Sequence, residues 1–333
     1  MAVPDMIPPA ATPQFLADAG WGGAIVTPLA GDASFRRYFR VVRAGQSAVL
    51  MDAPPPHEDP RPFIAVAEYL TGIGLAAPRI LHRDLEHGLL LIEDFGADRM
   101  REAVDAYPSV ELDTYAGLVD VLETLHAQPP AHGLSSHDLD VWLDEVMLFT
   151  DWYGPAVGLD LPRDSFAEAW RTVLEPVEND GLERVTILRD FHAENIMLIA
   201  GATGVARYGL LDFQDALVGH PAYDLASVLE DARRDVSPAV ERALIDSYVR
   251  ATNRDDRFER AYWALAAQRN TRILGVFCRL WKRDGKAHYT SFQPRMWGLF
   301  ERDLAHPHLA PVKAWFDTHV PAGKRAAVWA TLP

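Results

Sequence analysis

The hydrophobic pattern of this chain changes period once, near Gly96, and that change limits the folds open to it. Before Gly96, short apolar runs alternate with turn residues. "YFRVV" and "AVLM" flank Ala44-Gly45-Gln46, and "PRILHRDLEHGLLLIEDFG" reads as two strands around Glu86-His87-Gly88. Pro54-Pro55-Pro56 ends the first pair, short helical stretches fit residues 15–19 and 63–70, and Gly72 and Gly74 stop the second of these. Beyond Gly96, apolar residues recur at three and four. Leu118, Val121, Leu122 and Leu125 share a face that Pro129-Pro130 closes, and further helices are expected at 138–150, 165–174, 221–234, 238–251 and 261–282. Only 185–188 and 208–211 read as strands there. The expected fold class is therefore α+β, with a small antiparallel-sheet lobe over residues 1–95 and a larger helical lobe over 96–333. A length of 333 residues with 49% hydrophobic content also exceeds what one core organises.

Charge narrows the partners. Forty-seven acidic against 32 basic residues leave a net charge of -15, which opposes binding to nucleic acid or an anionic membrane through counterion release. Cys278 is the single cysteine, set in a helical pattern, so it reads as a packed thiol in a reducing compartment. The start has no basic stretch followed by an apolar run, and no span of about 18 apolar residues occurs, so a soluble cytoplasmic protein with a small-molecule substrate is expected. "GIGLAA" (72–77) has the glycines of a dinucleotide turn, but it follows a helix and runs into Pro78, so it reads as a helix stop.

Two segments carry chemistry. "LRDFHAENIML" (188–198) holds Asp190 and Asn195 five residues apart, and "LLDFQDA" (210–216) holds Asp212 after a strand-like run. Two polar turns would need no more than this. Phosphoryl transfer from a magnesium nucleotide, however, needs hard oxygen ligands for the metal and a carboxylate that orients an attacking hydroxyl and takes its proton. These three residues supply that set.

Their order and spacing resemble the catalytic and metal-binding loops of the protein kinase superfamily. With "GHPAYDLA" (219–226), they are similar to the aminoglycoside phosphotransferase and choline kinase branch, which phosphorylates small-molecule hydroxyls. "GDASFRRYFRV", "EDFG" and "QRNTRILGVFCRLWKRDGK" together resemble the bacterial anomeric kinases of N-acetylmuramate and N-acetylglucosamine, which feed cell-wall sugar recycling. The resemblance implies a two-lobed protein-kinase-like fold that uses ATP and Mg2+. It gives Asp190 the catalytic-base role, His192 a place near the transferred phosphate, and Arg189 and Asp224 supporting roles. Asn195 and Asp212 become the magnesium ligands. Asp32, Ser34, Phe35, Arg36 and Arg37 lie in or beside the loop that would cover the phosphates, and Glu93, Asp94 and Phe95 form the hinge whose backbone would meet the adenine.

The chain departs from that pattern twice. Leu188 stands where kinases carry a loop-orienting histidine. More seriously, "SAVLMDAP" offers no lysine to the nucleotide phosphates, and no lysine occurs before Lys282. Arg36, Arg37, Arg40 or Arg43 could supply that charge, because a guanidinium binds phosphate oxygens bidentately; Glu68 is a candidate for the helix partner.

For the acceptor, "VWLDEVMLFTDWYGPA" (141–156) offers Glu145, Asp151, Trp152 and Tyr153 in the region where this branch builds its pocket, although Trp142, Val146 and Phe149 at helical spacing also fit a core. Arg269, Arg272, Arg279 and Arg283 share one side of the late helix. That stripe is either a solvated face or a contact, through Arg272 and Arg279, with an anionic part of an amino sugar such as a lactyl carboxylate. Two alternatives stay open: an aminoglycoside or choline-type phosphotransferase, and a nucleotide-binding pseudokinase module that the missing lysine would suit.

Overall fold

A computed structural model describes residues 6–29 and 35–332. In chain order its elements are α1 (Thr12–Asp18), β1 (Ile25–Pro28), β2 (Arg37–Arg43), β3 (Gln46–Asp52), α2 (Arg61–Gly72), β4 (Ile80–Asp84), β5 (Leu89–Glu93), α3 (Met100–Ala106), α4 (Glu111–His126), α5 (Leu139–Leu148), α6 (Gly154–Val157), α7 (Arg163–Glu178), β6 (Val185–Ile187), β7 (Ile196–Leu198), β8 (Tyr208–Leu210), β9 (Leu217–Gly219), α8 (Ala222–Leu229), α9 (Pro238–Ala251), α10 (Asp256–Asp284), α11 (Gln293–Asp303) and α12 (Ala310–His319). They form two compact units, each made of two stretches of chain: a sheet unit from residues 2–125 and 194–216, and a helical unit from 126–193 and 217–333.

The sheet unit is built on a five-stranded antiparallel sheet, β1-β2-β3-β5-β4. Arg43 pairs with Gln46, so β2 and β3 are joined by two residues, and both take the left-handed conformation a type I′ turn demands: Ala44 at φ 49° and Gly45 at φ 79°. The β4–β5 connection needs its glycine for a different reason. A Cβ on Gly88 would lie 2.0 Å from the carbonyl oxygen of Ala53. Alternation then sorts the side chains. Phe39, Val41, Ala48, Leu50, Leu89 and Leu91 form one buried face, closed by Phe15 and Leu16 of α1. Val49, Met51, Leu90 and Ile92 are buried on the other. Helix α2 stops where "GIGLAA" predicts: Gly74 is at φ 86°, and the amides of Gly74 and Leu75 bond back to Thr71 and Leu70.

The second stretch of this unit is the β7–β8 hairpin, which pairs Ile196 with Leu210 and hydrogen-bonds through the Leu210 amide to Ala76. Gly209 lies so close to the Phe95 ring that a Cβ there would be 2.5 Å from it.

In the helical unit, the 29-residue α10 runs past α5, α8 and α11. Asp255 caps its start through the Arg257 amide and Gly285, at φ 70°, ends it. The close crossing with α5 depends on Gly275, where a Cβ would meet the Leu148 backbone at 2.4 Å. Around this crossing, Phe149, Phe166, Trp297, Phe300 and Phe316 pack ring against ring. Tyr153 is at their centre, with its hydroxyl accepting from Trp297 and Trp329 and donating to the carbonyl of Lys324. Cys278 is buried, as its helical context predicts.

Helix α8 ends at Leu229, short of the expected residue 234. Its last turn is replaced by a bend in which the Asp231 carboxylate accepts from the Arg233 amide. Beside that bend is a buried acid cluster: Glu230, Glu241 and Asp303 are all almost fully excluded from solvent. Arg302 reaches Glu230 at 3.0 Å and Glu241 at 2.8 Å, and the Asn270 amide donates to Glu230 and Asp303. Three carboxylates against one guanidinium cannot all ionise at ordinary pH. Burial first, and then the charge of Glu230, pushes Glu241 up to about 8 and raises Asp303 strongly.

Candidate active site

Asp190 is held in the helical unit by a loop whose backbone is fixed by buried carboxylates. Strand β6 delivers Leu188, and Arg189 takes a left-handed φ of 66° that a non-glycine residue adopts only when its surroundings enforce it. Asp224, fully buried on α8, does the enforcing. Its two carboxylate oxygens accept from the Leu188 amide at 2.5 Å and the Arg189 amide at 2.9 Å, while the Ser227 hydroxyl donates to the Arg189 carbonyl at 3.2 Å. Burial pushes the Asp224 carboxyl up to about 7, against the pull of those two amides. A third acid, Asp231, accepts from the Ala193 amide at 3.0 Å.

His192 is buried in the same loop. Its Nε2 lies 3.2 Å from Nη1 of Arg233; a guanidinium can only donate, so Nε2 is the acceptor and the ring is neutral there. Burial, the largest influence, lowers the pKa of this imidazole.

The Arg189 side chain leads to Glu145. One oxygen of that carboxylate meets Arg189 at 2.7 Å and Arg272 at 3.3 Å; the other meets His137 Nε2 at 3.3 Å and the Gln268 amide at 3.1 Å. Trp142 donates to His137 Nδ1 at 3.0 Å, which leaves the proton of the imidazole on Nε2, aimed at Glu145. Burial works to raise the Glu145 pKa, but Arg272, His137 and Arg189 together hold it well below the usual carboxylate range. Arg272 is raised in turn, its burial outweighed by Glu145. The structure thus places Glu145 at the centre of a ring of donors. Trp152 is half-buried in the π-helical stretch Phe149–Tyr153 that follows α5, and Asp151 beside it pairs with Arg163. Arg279 is half-buried two turns beyond Arg272, with no ion pair among the described residues.

Asn195 and Asp212 belong to the sheet unit, one on each limb of the β7–β8 hairpin. The Asn195 amide nitrogen is 3.5 Å from an Asp212 carboxylate oxygen, Gln214 donates to the other oxygen at 2.9 Å, and the Leu211 amide bonds to the Asn195 carbonyl at 2.9 Å. Asp212 is left-handed, at φ 58°. Of the four non-glycine residues with positive φ among those described, Arg189 and Asp212 are the two that flank candidate chemistry. Next to Asp212, Phe213 is fully buried and stacks on Phe63 of α2 at 4.9 Å. No group of three or more His, Cys, Asp or Glu among the described residues could hold a metal by itself. One carboxylate and one amide oxygen fit a hard cation that takes its remaining ligands from phosphates and water, as Mg2+ does.

The nucleotide-side candidates separate. Asp32 and Ser34 lie outside the described residues. Phe35 is half-exposed and stacks on His57 at 5.3 Å. Arg36 faces Glu58, Arg37 is bonded to Asp52 and the carbonyl of Ile7, Arg40 to Asp94 and the carbonyl of Gly96, and Arg43 to the carbonyl of Gly20. At the expected hinge, the Glu93 amide bonds to the Arg79 carbonyl and the Glu93 carboxylate pairs with Arg79. Phe95 lies against Gly209. Glu68 sits at the surface with Arg83.

Asp231, Arg233, His137, Gln268 and Glu58 were not singled out by sequence reasoning. "EDARRD" after "GHPAYDLA" is a visible charge cluster, but its meeting with residue 193 across 38 positions has no local signal.

Residues 25–263 match the phosphotransferase enzyme family model called APH. An N-acetylmuramate/N-acetylglucosamine kinase of Caulobacter vibrioides is 36% identical, over 95% of this chain and 98% of that protein. The protein of the same name from Pseudomonas aeruginosa is also 36% identical, over 90% of each chain. A crystal structure of a choline/ethanolamine kinase family protein from Mesorhizobium loti shares the fold, with a TM-score of 0.61 and 17% identity, covering 89% of this chain and 94% of that one.

Proposed function

The chain belongs to this phosphotransferase enzyme family, and from that membership we propose that it is an ATP-dependent kinase acting on the anomeric hydroxyl of N-acetylmuramate or N-acetylglucosamine. The observation that carries the acceptor is the 36% identity to the Caulobacter vibrioides kinase of that name over nearly the full length of both chains. Asp190 orients the sugar hydroxyl and takes its proton. Its carboxylate is aimed by the left-handed Arg189 backbone, which Asp224 and Ser227 clamp. Asn195 and Asp212 hold Mg2+ by oxygen. When bound, magnesium and ATP supply the phosphoryl group and neutralise the charge that develops on it.

On the acceptor side, Glu145 orients Arg189 and Arg272. Arg279 is the cation left to meet an anionic substituent of the sugar, and Trp152 offers it an aromatic face. A pseudokinase reading is weakened by the presence of Asp190, Asn195 and Asp212 together. The test measures ADP release with N-acetylmuramate, N-acetylglucosamine, choline and kanamycin. Turnover with an amino sugar at least tenfold above the other two is expected, and turnover confined to choline or kanamycin would overturn the acceptor assignment.

A further inference from the structure

The strand that carries the phosphate-binding lysine in protein kinases has none here, and the pairing of β2 and β3 shows which arginine can take its place. Arg37 pairs with Asp52 and Tyr38 with Met51, so odd-numbered β2 residues share the face of Ala48, Leu50 and Asp52. That face is closed by Phe15 and Leu16 of α1. The contacts of its two arginines agree: Arg37 bonds to the carbonyl of Ile7 and Arg43 to that of Gly20, both in the segments flanking α1. Neither can turn to a ligand on the opposite side without leaving its partners.

The opposite face carries Tyr38, Arg40 and Met51. Arg40 is committed as a bidentate partner of Asp94, at 2.8 and 3.1 Å, with a third bond to the Gly96 carbonyl at 2.8 Å. It ties β2 to the hinge. Arg36 precedes the strand by one residue, so alternation puts it on the side of Tyr38 and Arg40. Only 12% of its side chain is exposed, and its Nε is 3.7 Å from Glu58. Phe35 stacks on His57 one residue away, so two adjacent contacts fasten residues 35–36 to residues 57–58, just ahead of α2. A half-buried arginine, oriented by a carboxylate from the segment that leads into the helix, reproduces the logic of the lysine–glutamate pair with different residues. The obvious helix acid, Glu68, is spent at the surface on Arg83.

We infer that Arg36, positioned by Glu58, is the cation that contacts the nucleotide phosphates in this protein. The inference rests on the ATP-dependent reading above. Its test is equilibrium binding by calorimetry, with magnesium–ATP and with adenosine, on the full chain and on Arg36→Met, Arg36→Lys and Glu58→Gln. Arg36→Met should weaken magnesium–ATP binding about tenfold or more and leave adenosine binding within about twofold, because only the phosphate contact is lost. Arg36→Lys should recover part of the loss, since it keeps the charge and gives up the fork. Glu58→Gln should weaken ATP binding less than Arg36→Met, and adding it to Arg36→Met should cost nothing further. An Arg36→Met protein that binds ATP as the parent does, or that loses ATP and adenosine equally, would overturn the assignment. A parent protein that binds neither nucleotide would sink the kinase reading itself.

Discussion

The two loops that carry the candidate chemistry are held in opposite ways. Around Asp190, the backbone is fixed by side-chain carboxylates: Asp224 on residues 188 and 189, Asp231 on residue 193, with Glu145 gripping the Arg189 side chain. Around Asp212, the work is done by backbone pairing of β7 with β8, the Leu211–Asn195 bond, and rings pressed against glycine or each other at Gly209–Phe95 and Phe213–Phe63. One loop depends on the protonation and presence of buried acids. The other depends on shape. A proton acceptor must be aimed to within a hydrogen bond, and directed carboxylates do that; a metal completed by water and phosphate tolerates a looser pair of ligands.

The largest effect should separate chemistry from scaffold. Asp190→Asn should lower turnover about 10²- to 10⁴-fold while magnesium–ATP binding changes little. Steady-state kinetics with binding calorimetry checks this, and full turnover would remove Asp190 from its role. Next, Asp224→Ala leaves two buried amides without an acceptor, at about 1–3 kcal/mol each. Chemical denaturation should show that loss, and kcat should fall with it because the Asp190 loop is no longer clamped. An unchanged unfolding midpoint would mean the clamp is not what holds the loop.

The shape-held loop should respond to bulk instead. Gly209→Ala sets a methyl carbon 2.5 Å from the Phe95 ring, and overpacking of this kind costs about 1–3 kcal/mol. The expected kinetic signature is a raised KM for magnesium–ATP with kcat largely kept; a fall in kcat alone would erase the distinction between the loops. The last effect concerns pH. Glu241 holds its proton up to about pH 8 in the folded state, whereas an ordinary glutamate gives it up near 4.5. The native state therefore binds more protons across that window, and stability should fall as pH rises through it, by up to about 1.4 kcal/mol per pH unit. Glu241→Gln should flatten the melting temperature against pH between 5 and 8. An unchanged slope would overturn the assignment of this proton to Glu241.

Local pattern made a good part of this legible. The Ala44-Gly45 turn, the stop at "GIGLAA", the buried Cys278 helix and the meeting of Asn195 with Asp212 all follow from short-range spacing. What stayed hidden depends on long-range encounters. Glu145 reads only as an acceptor-pocket candidate in "WLDEV", and the donors that surround it come from far along the chain, Gln268 from 123 residues away and Arg189 from 44. The early end of α8 is similar, since "LEDARRD" continues a helical pattern and breaks where Asp231 accepts from the amides of Ala193 and Arg233. The inclusion of residues 194–216 in the sheet unit likewise has no marker in a strand of three residues. Arg36 could not be told from Arg37 on composition alone, because a one-residue difference in a strand changes the face and everything the guanidinium can reach.

All four lysines of the chain, at 282, 286, 313 and 324, fall in the helical unit, so the sheet unit contains no side-chain amine. Nucleotide reagents that mark kinases by acylating an amine beside the phosphates would find no target there, since a guanidinium stays protonated and is a poor nucleophile. This enzyme would pass unseen through a survey built on such labels. A dicarbonyl reagent, which condenses with arginine, is the chemistry suited to reveal its nucleotide site, and protection by ATP would report on Arg36.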